Sequence, residues 1–298
     1  MRTDHYKVSP TAIMCAQSRA ECTDMPFSRE IYEAVSKQEE GHIKSVVPSW
    51  AKYIAFMIPS IRKKVPLLEG RYYSTNNAIA QVGEGVPILE LASGLSPRGL
   101  HLAGSHSIYL ETDLDGMLNK KRAITEEVLR QRSEPIPTNH YFQTLNALDY
   151  DQLRCAGDTI RQVDQEKPIA IINEGLFMYL DDTEQKQIRD NLQRFFSEYS
   201  PNGAWITPDF AYRTISNPSL FLRWIKGRIE KRTGRKVNSF ESDEAVFDFL
   251  NQGGLTVKFL PNEEIARNLS CIQKRDLRLE DVLNHAKDYR AAFVTLIN

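Results

Sequence analysis

Two hydrophobic rhythms divide the chain near residue 86. Before it, apolar positions recur at helical spacing. Ala12, Ile13, Ala16 and Ala20 follow Ser9-Pro10-Thr11, where proline suits a first helical turn; Ile31, Ala34 and Val35 share one face of a second helix from about Ser28. Pro26 separates these two helices, and Pro48, Pro59 and Pro66 cut the next stretch into short helices and turns. Trp50, Tyr53, Ile54, Phe56, Met57 and Ile61 give that stretch the apolar surface of a helical cap, lying on a sheet or over the mouth of a site.

From residue 86 the period changes to short apolar strands alternating with helices, the pattern of a parallel sheet. Strands are predicted at 86–91, 107–113, 141–145, 168–174, 204–208 and 256–260, with a closing antiparallel strand in 290–297. Helices are predicted at 118–130, 150–163, from a cap at Asp181 to about Tyr199, and at 243–250. The expected architecture is α/β: a doubly wound, mostly parallel, seven-stranded, Rossmann-like sheet in a single domain spanning 1–298. It divides into a helical cap (1–85), a cofactor-binding core (86–208), a helical insertion or lid (209–240) and the C-terminal part of the sheet (241–298). No internal repeat and no low-complexity linker interrupts this plan.

Composition narrows the class. With 298 residues, 41% of them hydrophobic and 26% charged, the chain can bury a full core. A formal net charge of −1 predicts no bulk attraction to nucleic acid or to a membrane. Neither an apolar leader segment nor an 18-residue apolar run occurs, so a cytoplasmic protein with no membrane partner is expected. Cys15, Cys22, Cys155 and Cys271 are scattered without metal-ligand spacing; reduced, buried thiols and no bound metal are expected.

The candidate chemistry begins where the first strand ends, in Glu90-Leu-Ala-Ser-Gly-Leu-Ser-Pro-Arg98. Small residues at Ala92, Ser93, Gly94 and Ser96 let a ligand approach the backbone, in the crevice beyond the strand tips where α/β sheets hold cofactors. A dinucleotide loop would carry Gly-x-Gly-x-x-Gly, but only Gly94 and Gly99 are present. Glu90, read as a carboxylate at the lip of the crevice, is a poor neighbour for pyrophosphate and a good one for a cation. The pattern favours S-adenosyl-L-methionine over a nicotinamide cofactor. Asp113, about twenty residues on and at the end of the second strand, is placed to accept ribose hydroxyls or to cap the helix starting near Leu114, with Glu111 two residues earlier as an alternative ribose acceptor. Glu174 closes an apolar strand, where a carboxylate needs a partner; a cofactor ammonium would be one, and an arginine of the helical cap is the alternative. Gly175 allows close approach, and Tyr179 offers an aromatic face to a sulfonium.

Four motifs in order, Ser9-Pro-Thr-Ala12 with Arg19-Ala20, Glu90 to Arg98, Glu111-Thr-Asp-Leu114, and Glu174-Gly-Leu-Phe-Met-Tyr-Leu180, resemble the leucine carboxyl methyltransferase family. The likeness includes its bacterial branch, similar to tetracenomycin-type polyketide O-methyltransferases, and covers about residues 8–200. It implies a class I S-adenosylmethionine-dependent methyltransferase fold with cofactor contacts at Gly94, Asp113 and Glu174. It also implies an arginine paired with the cofactor carboxylate, for which Arg71 is the candidate. Departures from the family pattern are Ala92 for a usual glycine, Ser96-Pro97 for Asp-Thr, and Asn146 for an acidic residue after the third strand. Leu114, Ala147 and Gly175 complete the expected pocket beside Glu90, Ala92 and Asn146.

The resemblance implies methyl transfer by in-line displacement, in which positioning and water exclusion supply roughly 7–11 kcal/mol. A carboxylate acceptor, with a pKa near 4.3 for glutamate, is ionised without a general base, whereas a phenol or alcohol usually needs one. None of the six histidines lies in a motif, so no catalytic residue is named and carboxyl methylation is slightly favoured. The acceptor is expected to be a carboxylate or hydroxyl on a small molecule or a protein. Arg223, Lys226, Arg228, Lys231, Arg232, Arg235 and Lys236 form a basic arm that reads either as a solvated helix face or as a docking face for an acidic substrate. Two rival readings stay open: an inactive cofactor-binding module acting through protein interaction, and a dehydrogenase.

Overall fold

Ile88 and Leu89 are both fully buried yet belong to opposite faces of one sheet, and the same holds for Ala170 and Ile171 and for Ala204 and Trp205. Strands buried at every position need cover on both sides, which is why these segments lack the alternation of a half-exposed sheet. The computed structural model describes residues 10–38, 66–210, 235 and 238–297. The aromatic-rich stretch before Pro66 and all of the basic arm except Arg235 lie outside the described residues.

Helices α1 (Pro10–Cys22), α2 (Ser28–Gln38) and α3 (Pro66–Val82) lead into strand β1 (Ile88–Leu91). There follow α4 (Arg98–Leu102), β2 (Tyr109–Asp113), α5 (Asp115–Gln131), β3 (His140–Thr144), α6 (Tyr150–Val163), β4 (Ala170–Asn173), α7 (Asp182–Tyr199) and β5 (Ala204–Thr207). The chain closes with α8 (Asp243–Asn251), β6 (Leu255–Phe259), three short helices α9 (Glu263–Arg267), α10 (Cys271–Lys274) and α11 (Leu279–Asn284), and β7 (Ala292–Leu296). The strands form one seven-stranded sheet in the order β3-β2-β1-β4-β5-β7-β6, parallel except for β7, which runs antiparallel to both neighbours. The strand order reverses between β1 and β4, and such a switch point opens a crevice at the C-terminal strand ends.

Local chemistry sets the helix starts. Asp149 caps α6 by accepting from the backbone N–H of Asp151 and Gln152, and Asp181 with Glu184 forms a reciprocal capping box on α7. Leu153, Ala156 and Ile160 of α6 pack with Ile188, Leu192 and Phe195 of α7 against one face of the sheet, while Ala78 and Ile79 of α3 cover the other.

Three features depart from the sequence reading. The helices between β6 and β7 were not anticipated, because four to six residues are too few to show a period; α10 is instead fixed by Glu69 of α3, whose carboxylate accepts from the N–H of Ser270 (2.8 Å) and Cys271 (2.9 Å). Asp209 and Phe210, read as the start of the insertion, are buried in the core. The cysteines are free, but they are not uniformly buried: Cys22 and Cys271 are, Cys15 is half-buried and Cys155 exposed.

Candidate active site

The tips of β1, β2, β4 and β5 bring charged residues together, and a buried arginine organises them. Arg98 opens α4 and is completely enclosed. Its Nη1 donates to Glu90 Oε1 (3.0 Å), its Nη2 to Glu174 Oε2 (2.8 Å) and its Nε to Asn76 Oδ1 (2.9 Å), while the guanidinium lies 4.9 Å from the centre of the Tyr72 ring. Arg19 of α1 reaches the other oxygen of Glu174 (Nη2 to Oε1, 2.8 Å). Burial alone would raise the Glu174 carboxyl, but Arg19, Arg98 and Arg71 around it hold it down at about 2. It is therefore ionised at any ordinary pH.

Glu90 differs from its expected position. Its carboxylate is not at the lip of the crevice but 1% exposed beneath it, bonded to Arg98 and to the Tyr109 hydroxyl (2.7 Å). Alternation explains this: Glu90 shares the face of Ile88, which packs under α3. Burial raises its carboxyl above the usual range even with Arg98 alongside.

Glu111, directly opposite Glu90 in the β1–β2 register, is likewise sealed. Lys121 Nζ lies 2.9 Å from one of its oxygens and His140 Nε2 2.8 Å from the other, and these partners override burial to hold its carboxyl at about 2. Two carboxylates facing each other in a buried ladder each need a cation, and Arg98 and Lys121 provide one apiece. Glu111 is thus unavailable to a ligand, which leaves Asp113 as the acid at the tip of β2.

Asp113 is half-buried. Its Oδ2 accepts from the Gly94 N–H (2.9 Å) and its Oδ1 from the Leu114 N–H (2.7 Å), so it ties the glycine turn to the second strand. Burial raises its carboxyl despite these two donors. Lys121 also donates to the Ser96 carbonyl, holding the turn from the opposite side. Ala92, where the resembled family has glycine, takes the left-handed conformation with φ +51°. Leu114 and Asn146 are exposed, and Ala147 is half-buried. Asn146 Oδ1 accepts from the Leu148 N–H (3.1 Å) and forms the turn that leads to the cap of α6. Gly175 is exposed, and no atom lies within 4 Å of where a Cβ would project.

Sequence reasoning missed Asp209. Its buried carboxylate collects the N–H groups of Gly175 (2.7 Å), Leu176 (2.8 Å) and Phe177 (2.9 Å), the Asn173 amide (2.8 Å) and the Arg71 guanidinium. The signal was present: an acid just past a strand end, the criterion that selects Asp113 and Glu174. Within Glu174-Gly-Leu-Phe-Met-Tyr-Leu180, Phe177 is the anchor. Its ring packs 5.4–6.4 Å from those of Trp205, Phe210, Phe240 and Phe249. Tyr179 is half-buried, and burial beside Cys15 and Asp209 pushes its hydroxyl up to about 12.

The residues present fit the amino-acid end of S-adenosylmethionine. Arg98, Arg19 and Arg71 balance Glu90, Glu174 and Asp209, so this ion-pair cluster is near neutral, as suits a zwitterion. Glu174 keeps acceptor capacity for an ammonium, since a carboxylate offers about four lone-pair sites. Among the described residues, Nε of Arg19 and Nε of Arg71 are buried donors with no hydrogen-bond partner.

No protein-family model matches the sequence, and no curated protein does. Among solved structures, a DUF574 family protein from Streptomyces avermitilis MA-4680 superimposes with a TM-score of 0.54 at 11% identity, covering 97% of each chain. A putative methyltransferase from Thermobifida fusca YX follows at 0.47 and 12% identity, over 95% of this chain and 94% of its own. Human N-acetylserotonin methyltransferase in complex with SAM gives 0.44 and 10%, over 97% and 72%. The first of these likenesses establishes the fold alone.

Proposed function

We propose that the protein is an S-adenosylmethionine-dependent O-methyltransferase whose acceptor is a carboxylate. One observation carries the reading: Glu174, ionised and held between Arg19 and Arg98 at the switch point, stands beside arginines with unpartnered donors and next to the glycine turn pinned by Asp113. Glu174 would hold the cofactor ammonium, Arg71 the carboxylate and Asp113 the ribose hydroxyls. The exposed Asn146, with Leu114 and Ala147, would border the adenine. Bound there, the cofactor supplies an electrophilic methyl group on a sulfonium.

The protein's own contribution is positioning and exclusion of water. Arg98 fixes Glu174 from the buried side, Asp113 fixes the turn, and the Glu90–Arg98–Tyr109 group closes the floor. The histidines flanking these elements are committed to structure. His101 shares a hydrogen bond with the Tyr72 hydroxyl (2.6 Å), His106 with the Val86 carbonyl (2.9 Å) and His140 with Glu111. None of the three is at hand as a general base, which favours an acceptor that needs none. The motifs shared with leucine carboxyl methyltransferases, Glu174 to Leu180 above all, support the same finer reading.

Incubation with methyl-labelled cofactor and a cell extract, followed by alkali, tests it. Methyl esters release volatile label, and that release is expected. Alkali-stable label would point to a hydroxyl acceptor, and cofactor binding with no transfer at all would favour a binding module.

A further inference from the structure

Asp209 sits two residues beyond the end of β5, and at 2% exposed its carboxylate is withdrawn from water. A charge there is costly unless every lone pair is used, and here five donors converge on two oxygens. Three of the five are successive backbone N–H groups, residues 175–177, a concave array of the kind that binds anions. The array is filled from within the chain, so it serves to fix the loop after β4 rather than to bind a free anion. That loop begins at Glu174. The fifth donor is Arg71, from α3, whose Nε remains unpartnered and which is close enough to Glu174 to help hold its carboxyl down.

We propose that Asp209 is a positioning residue for the amino-acid end of the cofactor: by gripping the Gly175–Phe177 N–H groups and Arg71 together, it sets the spacing between Glu174, which takes the ammonium, and Arg71, which takes the carboxylate. The inference rests on the cofactor assignment above and adds a residue that lies outside the motifs. Asparagine cannot replace it, because an amide has one acceptor oxygen and would turn N–H donors toward the backbone N–H groups. Asp209 touches neither ligand nor reacting atoms, so its effect is confined to the groups it orients.

Two ligands separate this role from a purely structural one. S-adenosylhomocysteine carries the amino-acid end, whereas 5′-methylthioadenosine shares the adenosine and lacks the ammonium and carboxylate. Calorimetry on the full-length parent and Asp209→Asn is expected to show at least tenfold weaker binding of S-adenosylhomocysteine in the variant, with 5′-methylthioadenosine within twofold. Equal weakening of both ligands, or of neither, would overturn the proposal. If Asp209→Asn does not fold, Arg71→Gln is measured with the same pair. It is expected to show the same selective loss, and unchanged S-adenosylhomocysteine binding there would leave Asp209 nothing to position. A parent protein that binds neither ligand would instead refute the cofactor assignment itself, so the two failures are distinguishable.

Discussion

Arg98 Nη2 lies 2.8 Å from Glu174 Oε2 and joins the first turn of α4 to the tip of β4 across the switch point of the sheet. The contact is wholly enclosed on the arginine side. Breaking a buried pair from one side leaves uncompensated charge and costs about 3–5 kcal/mol, and here Glu90 loses the cation bonded to it while Glu174 keeps Arg19. Arg98→Ala is therefore expected to lower unfolding free energy in urea by at least about 3 kcal/mol. Arg130→Ala, which removes an exposed pair with Glu127, is expected to change it by nothing resolvable.

The depressed carboxyl of Glu174 fixes the sign of a pH effect. Folded, it titrates at about 2; in the unfolded chain it returns to about 4.3. Its contribution is therefore fully present above about pH 5 and is lost as pH falls towards 2, and Glu111 adds a second contribution of the same sign. A depression of this size corresponds to about 3 kcal/mol. Stability of the parent is expected to fall steeply over that acid window, and Glu174→Gln to be less stable at pH 7 with a flatter acid limb. Chemical denaturation at a series of pH values reads both.

Gly94 and Gly99 lie five positions apart and do different work. A Cβ on Gly99 would lie 1.9 Å from Glu111 Oε1 and 2.7 Å from His140 Nε2, inside a charged cluster that cannot give way. Gly99→Ala is expected to destabilise by about 1–3 kcal/mol through overpacking. At Gly94 the nearest atom outside its chain neighbours would be the Ala92 carbonyl oxygen at 3.9 Å, while φ is +51°. Gly94→Ala is expected to cost about 1 kcal/mol of conformational energy and to weaken cofactor binding more than Gly99→Ala does. Paired thermal unfolding and calorimetry distinguish the two roles.

Ala92 holds a left-handed backbone that glycine adopts freely. The strain of about 1–2 kcal/mol exceeds the extra entropy that glycine loses on folding, about 0.5–1 kcal/mol. Ala92→Gly is expected to raise unfolding free energy by up to about 1 kcal/mol with cofactor affinity retained, as a denaturation midpoint and a titration would show.

Much of this design is legible in the chain. The strands of the sheet follow from apolar runs that stop at Ala92, Asp113, Glu174 and Pro208, and the caps at Asp149 and Asp181 mark helix starts by their own chemistry. What the chain does not disclose is pairing. Glu90, Glu111 and Asp113 look alike as acids near strand ends. Only the sheet register and the arrival of Arg98, Lys121 and His140 from other elements decide that the first two are sealed and the third is not. Arg19 lies 155 positions from Glu174 along the chain, and Asp209 reaches its partners from the far side of β5. Contacts of that span leave no periodic trace.

The central claim is a pocket that holds S-adenosylmethionine through Glu174. Calorimetric titration of the cofactor into the parent protein and into Glu174→Gln tests it most directly. Saturable one-site heat in the parent and at least tenfold weaker binding in the variant are expected. No heat in the parent, or the same affinity in both proteins, would contradict it.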